Sequence, residues 1–344
     1  MAHCDVSVII PAYNSAVSLA RSVDSALAQT SRPDEIIVIN DGSTDNTAQV
    51  AKAYGNDIIL IEQANLGQGA ARNAGLRRAT KEYIAFLDAD DYWLPDFLQT
   101  CVGFLEGHAQ AIAVSTGQII KLWGHKDSIS PPILAEANGR KSDKAFILDD
   151  FFRFWAEQDH VRTGSVVIRR DIIEKAGYQL ADLRISQDLE YWGYLTTYGK
   201  WGFIPKALFV TDGAASAAHQ GWKNKYKARR LKCPEVEQWQ RRIVPRLRQE
   251  DWPGFEIVRG RVAKSFAHSK ILAGNDSSAR SIVSEFGGQF PKDKISRIMK
   301  FGASTGIIGW KSCCYLLRLR ELLKSLLISL SRHKSEQSQT FMTK

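Results

Sequence analysis

The chain has 344 residues, 44% hydrophobic and 24% charged, a balance that excludes wholesale disorder and suits one large α/β domain or two smaller ones. Its five cysteines (Cys4, Cys101, Cys233, Cys313, Cys314) are scattered, with no CxxC pair, which excludes a disulfide scaffold and points to a reducing compartment. The net charge of +9 is unevenly spread: residues 1–218 hold 20 Lys and Arg against 27 Asp and Glu, a net −7, and residues 219–344 hold 26 against 10, a net +16.

Such a split predicts an acidic body that handles a metal or substrate, and a basic extension facing an anionic partner. A membrane surface and nucleic acid are the two candidates, and a solvated basic helical face is the plainer alternative. No zinc-finger, KH or RRM motif is present, which disfavours nucleic acid. No apolar run reaches membrane-spanning length, and the N-terminus runs straight into a strand-like stretch, so neither a polytopic nor a secreted protein is expected.

In chain order, residues 6–10 are a short β-branched run that reads as a buried parallel strand. Residues 18–29 have a helical pattern. Residues 35–39 form a second strand, ending in Asn40-Asp41-Gly42-Ser43-Thr44-Asp45, where Ser43 or Thr44 can cap a helix over 44–54. Strand 58–61, helix 67–79 and strand 83–87 follow, the last ending in Asp88-Ala89-Asp90-Asp91. This alternation predicts a doubly wound α/β sheet. In such sheets ligands bind outside the carboxyl ends of the strands, which is where every polar cluster falls. Further on, strands are expected at 111–120 and 165–168, a loop or hairpin insert at 121–145, and a helix within 185–198. Beyond Trp222 the chain is mostly helical and basic.

Three carboxylates within four positions repel one another unless a cation sits with them. A hard divalent ion, Mn²⁺ or Mg²⁺, answers Asp88, Asp90 and Asp91, whereas a solvated acidic turn or a phosphatase-type nucleophile are the other readings. Asp41 ends a buried strand and either binds a base or ribose or makes an Asx-type turn. Asn65-Leu66-Gly67-Gln68-Gly69-Ala70-Ala71-Arg72-Asn73 places a glycine turn before a helix. Arg72 stands where a dinucleotide fingerprint has its last glycine, which disfavours a nicotinamide-dependent oxidoreductase. A helix N-terminus near a diphosphate is the better reading.

Taken together these segments resemble family 2 glycosyltransferases of GT-A fold. The likeness runs through Val6-Ser7-Val8-Ile9-Ile10-Pro11-Ala12-Tyr13-Asn14, then Ile37 to Asp45, Asn65 to Gly75, and Phe86-Leu87-Asp88-Ala89-Asp90-Asp91-Tyr92-Trp93. The resemblance implies a mixed, mostly parallel sheet flanked by helices. It also implies inverting transfer from a nucleotide-diphosphate-sugar to a glycan or lipid-linked acceptor. Pro11 and Tyr13 would meet the nucleotide, Tyr13 by stacking on the base. Asp41 would bind base or ribose, and Arg72 the nucleotide. Asp88 and Asp90 match the DxD element, with Asp88 at ribose or metal and Asp90 on Mn²⁺ or Mg²⁺. Asp188 would be the general base, Glu190 is its rival, and Gln187 stands where the family usually has Glu. His219 is a further candidate contact.

A boundary of charge and pattern near residue 220 divides the chain into an expected GT-A catalytic domain over 1–220 and a basic, mostly helical extension over 221–344. Within the first, the nucleotide-sugar part covers about 1–95 and the acceptor side about 96–220. An amphipathic helix over about 312–331 carries Leu316, Leu319, Leu323, Leu326 and Leu330 on one face, flanked by cations. It suggests an anchor at the inner face of the plasma membrane, or else a helix packing on the body or a second subunit. A catalytically silent glycosyltransferase-like scaffold is the alternative function, supported by Gln187 alone.

Overall fold

The computed structural model describes residues 2–121, 126–131, 144–183, 185–212 and 230–323. The chain forms two compact units, Met1–Lys225 with Glu237–Val258, and Tyr226–Val236 with Arg259–Lys344.

The first unit is built on one sheet. Its strands are β1 (Ala2–Ala12), β2 (Ser31–Asp41), β3 (Ile59–Gln63), β4 (Tyr83–Phe86), β5 (Tyr92–Trp93), β6 (Ala111–Lys121), β7 (Ser128–Ser130), β8 (Phe146–Ile147), β9 (Val166–Arg169) and β10 (Lys200–Asp212). The order is β3-β2-β1-β4-β9-β6-β10-β5, with β7 on β6 and β8 on β10. β1 to β4 are mutually parallel, β9 runs antiparallel between β4 and β6, and β6 is parallel to β10. The sheet is therefore mixed and mostly parallel.

β1 reads as a continuous apolar run because both its faces are covered. Val6, Val8 and Ile10 share a core with Leu19 and Val23 of α1 (Leu19–Leu27) and with Phe97, Leu98 and Cys101 of α4 (Phe97–Gly107). Ile9 points the other way, toward α3 (Gln68–Arg78). There a Cβ on Gly75 would lie 2.5 Å from Ile9 Cγ2 and 3.0 Å from Ile39 Cδ1. The missing side chain lets α3 press against the sheet. The registers Ala12↔Asn40, Asp41↔Gln63 and Ile9↔Phe86 bring the carboxyl ends of β1 to β4 to one edge.

The cap expected at Ser43 or Thr44 is not formed. Helix α2 spans Thr47–Lys52, and its preceding residue Asn46 makes no side-chain cap. Ser43 instead accepts from the Asn14 backbone N–H at 3.0 Å, and the Thr44 N–H donates to Asn14 Oδ1 at 2.8 Å. These polar groups join the loops after β1 and β2, and Asp45 takes the Thr47 N–H at 3.0 Å.

The second unit is helical. It holds the later part of Trp252–Ala273, then Asp276–Phe286, Lys294–Ser304 and helical residues 306–323. Asp293 caps one helix by accepting from the Ser296 N–H at 2.9 Å. Trp310, Cys313, Cys314 and Leu317 bury one face of 306–323, and Trp310 Nε1 donates to the Asp276 carbonyl at 2.7 Å. The leucine face expected from the sequence is the exposed one as far as it is described: Leu316, Leu319 and Leu323 are exposed, together with Ile308, Tyr315 and Leu322. Leu326 and Leu330 lie outside the described residues. Among the described residues no helix is long and apolar enough to cross a membrane.

His160 in the first unit is buried among Phe151, Phe154 and Phe203, with ring centroids 5.1, 4.8 and 5.8 Å away. Burial, and then the charge of Arg162, holds its pKa down at about 3. A free imidazole titrates near 6.5. The contribution of His160 to stability is therefore full above pH 6.5 and is lost as pH falls from there toward 3. Moving from pH 8 to pH 5.5 should cost the unit roughly 1.4 kcal/mol through this residue. Urea unfolding of wild type and His160→Phe at both pH values checks this, with the difference expected to shrink by that amount in the variant.

Candidate active site at the carboxyl edge of the sheet

Asp41, the last residue of β2, is buried. Its carboxylate accepts from Gln63 Nε2 at 2.7 Å and from the backbone N–H groups of Leu66 and Gly67, each at 2.9 Å. It thus fastens the turn that precedes α3. The next residue, Gly42, has φ +70°, and a Cβ there would stand 2.6 Å from the Asn65 backbone nitrogen. Only glycine fits that approach without strain. Pro11 is buried at the end of β1, and Tyr13 is half-buried just beyond it.

The turn after β4 carries the acidic cluster. Asp88 and Asp90 are half-buried and Asp91 is buried. Asp88 Oδ1 accepts from Arg72 Nη2 at 2.7 Å and from Gln68 Nε2 at 3.1 Å. Arg72 is only 1% exposed, and its Nε and Nη1 meet no acceptor among the described residues. Asp91 turns inward, where its Oδ1 accepts from the Asp212 N–H at 3.0 Å. Burial, then Asp90 and Asp88, push its carboxyl well above the usual range. Arg21 reaches in from α1, pairing with Asp212 at 2.5 Å and donating to the Asp90 carbonyl at 2.9 Å.

The helix Gln187–Leu195 brings the second carboxylate group. It follows Ser186, whose φ of 56° is left-handed, and Trp239 Nε1 donates to the Ser186 carbonyl at 3.2 Å. Asp188 is half-exposed in the first turn, with Thr163 Oγ1 3.5 Å from its Oδ2. Glu190 is fully buried, and Arg242 takes both of its oxygens, at 2.9 and 2.7 Å. Gln187 is 3% exposed and donates to Gln68 Oε1 at 3.3 Å, which links this helix to α3. His219 lies outside the described residues.

Residues 7–176 match the model of glycosyl transferase family 2. An uncharacterized glycosyltransferase of Nostoc sp. is 50% identical over 101 residues, covering 28% of this chain and 31% of that protein. Another, from Escherichia coli, is 45% identical over 98 residues, covering 28% of each chain. Among solved structures, residues 1–349 of TarS from S. aureus superpose with a TM-score of 0.53 at 16% identity, covering 91% of both chains. The mannosyltransferase PcManGT from Pyrobaculum calidifontis gives 0.54 at 17% identity, covering 92% of this chain and 87% of that one. Residues 7–176 form a domain of glycosyl transferase family 2. Its fold is GT-A, and the chain spans about three tenths of the length of the curated relatives named above.

In this family 2 domain no three His, Cys, Asp or Glu side chains converge as a metal-holding group among the described residues. Asp88 and Asp90, half-exposed on one turn, are hard oxygen donors. Mg²⁺ and Mn²⁺ at phosphate-handling sites take only one or two protein carboxylates, so this donor set fits them.

The residues that local pattern did not single out are Arg21, Gln68, Trp239 and Arg242. Gln68 lay inside a quoted motif and carried a signal only by position. The others are joined to the site by contacts 52 to 191 residues apart in sequence, which leave no local pattern.

Burial pushes the Glu190 carboxyl up while the Arg242 hydrogen bonds and charge pull it down, and burial wins. Removing one partner strands the other charge. Arg242→Ala should destabilise the domain by about 3–5 kcal/mol. Replacing both residues by Met should cost far less, because no charge is then stranded. Denaturant unfolding of the three proteins checks the order.

Proposed function

We propose that the chain is an inverting, metal-assisted glycosyltransferase that moves a sugar from a nucleotide-diphosphate-sugar to a hydroxyl of a glycan or lipid-linked acceptor. The observation that carries this reading is the turn after β4 that holds Asp88 and Asp90, with Arg72 paired to Asp88, and the helix of the half-exposed Asp188 linked to it through Gln68 and Gln187. The half-exposed Tyr13 stacks on the base. Asp41 already accepts three hydrogen bonds of about four its carboxylate can take, which leaves one for base or ribose. Arg72 and the N-terminus of α3 face the diphosphate. Bound at Asp90 and Asp88, Mn²⁺ or Mg²⁺ offsets the charge that builds on the departing diphosphate.

Asp188 accepts the acceptor hydroxyl proton as that oxygen attacks the anomeric carbon and the bond to the diphosphate breaks. Glu190 is unsuited to this task, since Arg242 occupies both its oxygens behind full burial. Support for the donor class comes from proteins of the same fold: TarS was solved with UDP-GlcNAc, and PcManGT with GDP-Man and Mn²⁺.

Thermal shift with UDP-, GDP-, dTDP- and CMP-sugars, each with Mn²⁺, Mg²⁺ or EDTA, tests the donor side. One nucleotide class should raise the melting point by mass action, and EDTA or Asp90→Ala should abolish the rise. Asp188→Asn should keep the donor shift and lose transfer by about 10²-fold or more. Undiminished function in Asp188→Asn would instead favour a silent scaffold.

We further infer peripheral attachment to an anionic membrane, at its inner face. Ile308 (83% exposed), Tyr315, Leu316, Leu319 and Leu323 form an exposed apolar stripe opposite the buried face of the same helix. Lys311 and Arg320 border it. Apolar residues beside cations suit a helix lying in the headgroup region. Flotation with anionic vesicles should capture the wild type, and Ile308→Ser with Leu316→Ser and Leu319→Ser should release it. Equal capture by neutral vesicles, or by the triple variant, would contradict this.

A further inference from the structure

A hydrogen-bond chain leads away from Asp88 toward the helix that carries Asp188. Gln68 Nε2 donates to Asp88 Oδ1 at 3.1 Å, and Gln187 Nε2 donates to Gln68 Oε1 at 3.3 Å. Its direction follows from chemistry. An ionised carboxylate only accepts, so Gln68 must turn its NH₂ to Asp88 and its carbonyl to residue 187. Residue 187 must then be a donor. Gln187 meets that demand. An ionised Glu, the residue the family resemblance puts there, cannot. It would turn the Gln68 amide around, aiming a carbonyl at Asp88, or leave one link unmade.

Several observations around this chain agree. Gln187 is 3% exposed, and its Oε1 finds no partner among the described residues, so its donor side is the part put to use. Gly69 comes close enough that a Cβ there would meet Gln187 Cγ at 3.6 Å, which holds α3 and the later helix at side-chain contact. Gln187 directly precedes Asp188 and follows the left-handed Ser186, so a pull on its side chain acts on the first turn of that helix.

We propose that Gln68 and Gln187 are positioning residues that form a directed hydrogen-bond relay. The relay ties the Asp88 turn to the first turn of the Asp188 helix, and Gln at position 187 is what gives it direction. This rests on the reading above only in naming Asp88 as donor-side and Asp188 as base.

The test uses the full chain with Gln68→Met, Gln187→Met, the double variant and Gln187→Glu. The first readout is backbone amide exchange over residues 187–190 in metal-free and donor-free protein. Each single Met variant should speed exchange there by about tenfold or more, the size of one buried polar group left unmade. The double variant should be no worse than the worse single, because neither residue is then left facing an absent partner. Gln187→Glu should exchange faster over these residues than Gln187→Met. The second readout is transfer, where Gln68→Met should lower kcat although position 68 is far from Asp188 in sequence.

Unchanged exchange at 187–190 in Gln68→Met, or strictly additive effects in the double variant, would overturn the relay. Should Gln187→Glu fail to fold, the two Met variants and their double decide alone. A wild type that binds no nucleotide-sugar would defeat the functional reading and leave the exchange result standing, so the two failures are distinguishable.

Discussion

Negative charge at the carboxyl edge of the sheet is the constraint around which the site is arranged. Asp41, Asp88, Asp91 and Asp212 stand at the ends of β2, β4 and β10, and two like charges 4 Å apart repel by about 4 kcal/mol at an effective dielectric of 20. Each is compensated by different means. Backbone N–H groups and Gln63 hold Asp41, Arg72 and Gln68 hold Asp88, and Arg21 holds Asp212. Asp91 is pushed by burial toward its neutral form. The sequence pattern asked for a cation beside these acids, and the chain supplies two arginines of its own. A divalent ion would therefore join an acidic edge whose charge is already partly offset, and would be called for mainly by the added charge of a diphosphate.

The sheet was legible because its central strands are buried on both faces. Residues 6–10 and 35–39 carry β-branched runs that end abruptly in polar loops, and those ends are where the site lies. Boundaries were less legible. β2 begins at Ser31 and carries Pro33, opposite Cys4, before the register shift in β1 between Cys4 and Ser7. A proline marks a strand end in local reasoning, but tertiary pairing overrides it here. The helix expected over 44–54 starts only at Thr47 because the hydroxyls expected to cap it bind the neighbouring loop. Ser and Thr serve either purpose, and local sequence does not say which partner arrives.

The candidate site was legible only where a residue sits in a local motif. Asp41 ends a strand, Asp88 and Asp90 lie in the turn after β4, Arg72 stands in the second turn of α3, and Asp188 stands in the first turn of its helix. Arg21 sits in the first turn of α1 and reaches the site because Asp212 returns 191 residues later. The demand that Gln68 donate to one neighbour and accept from the other exists only once three separate segments meet. Gln187 read as a departure from the family for the same reason: its use depends on residue 68, not on the residues flanking it.

The Glu190–Arg242 pair shows how the segment 237–258 takes part in the first unit. Buried ion pairs are weak sources of net stability, because desolvating both partners cancels most of their attraction. Their strength is geometric, since a bidentate guanidinium accepts one orientation of the carboxylate. Here the pair and the Trp239 bond to the Ser186 carbonyl hold two points of the same helix, one at its start and one a turn further on. Gln187 adds a third hold through Gln68. A first turn held at three points loses the freedom to fray that helix ends ordinarily have, and Asp188 stands in that turn.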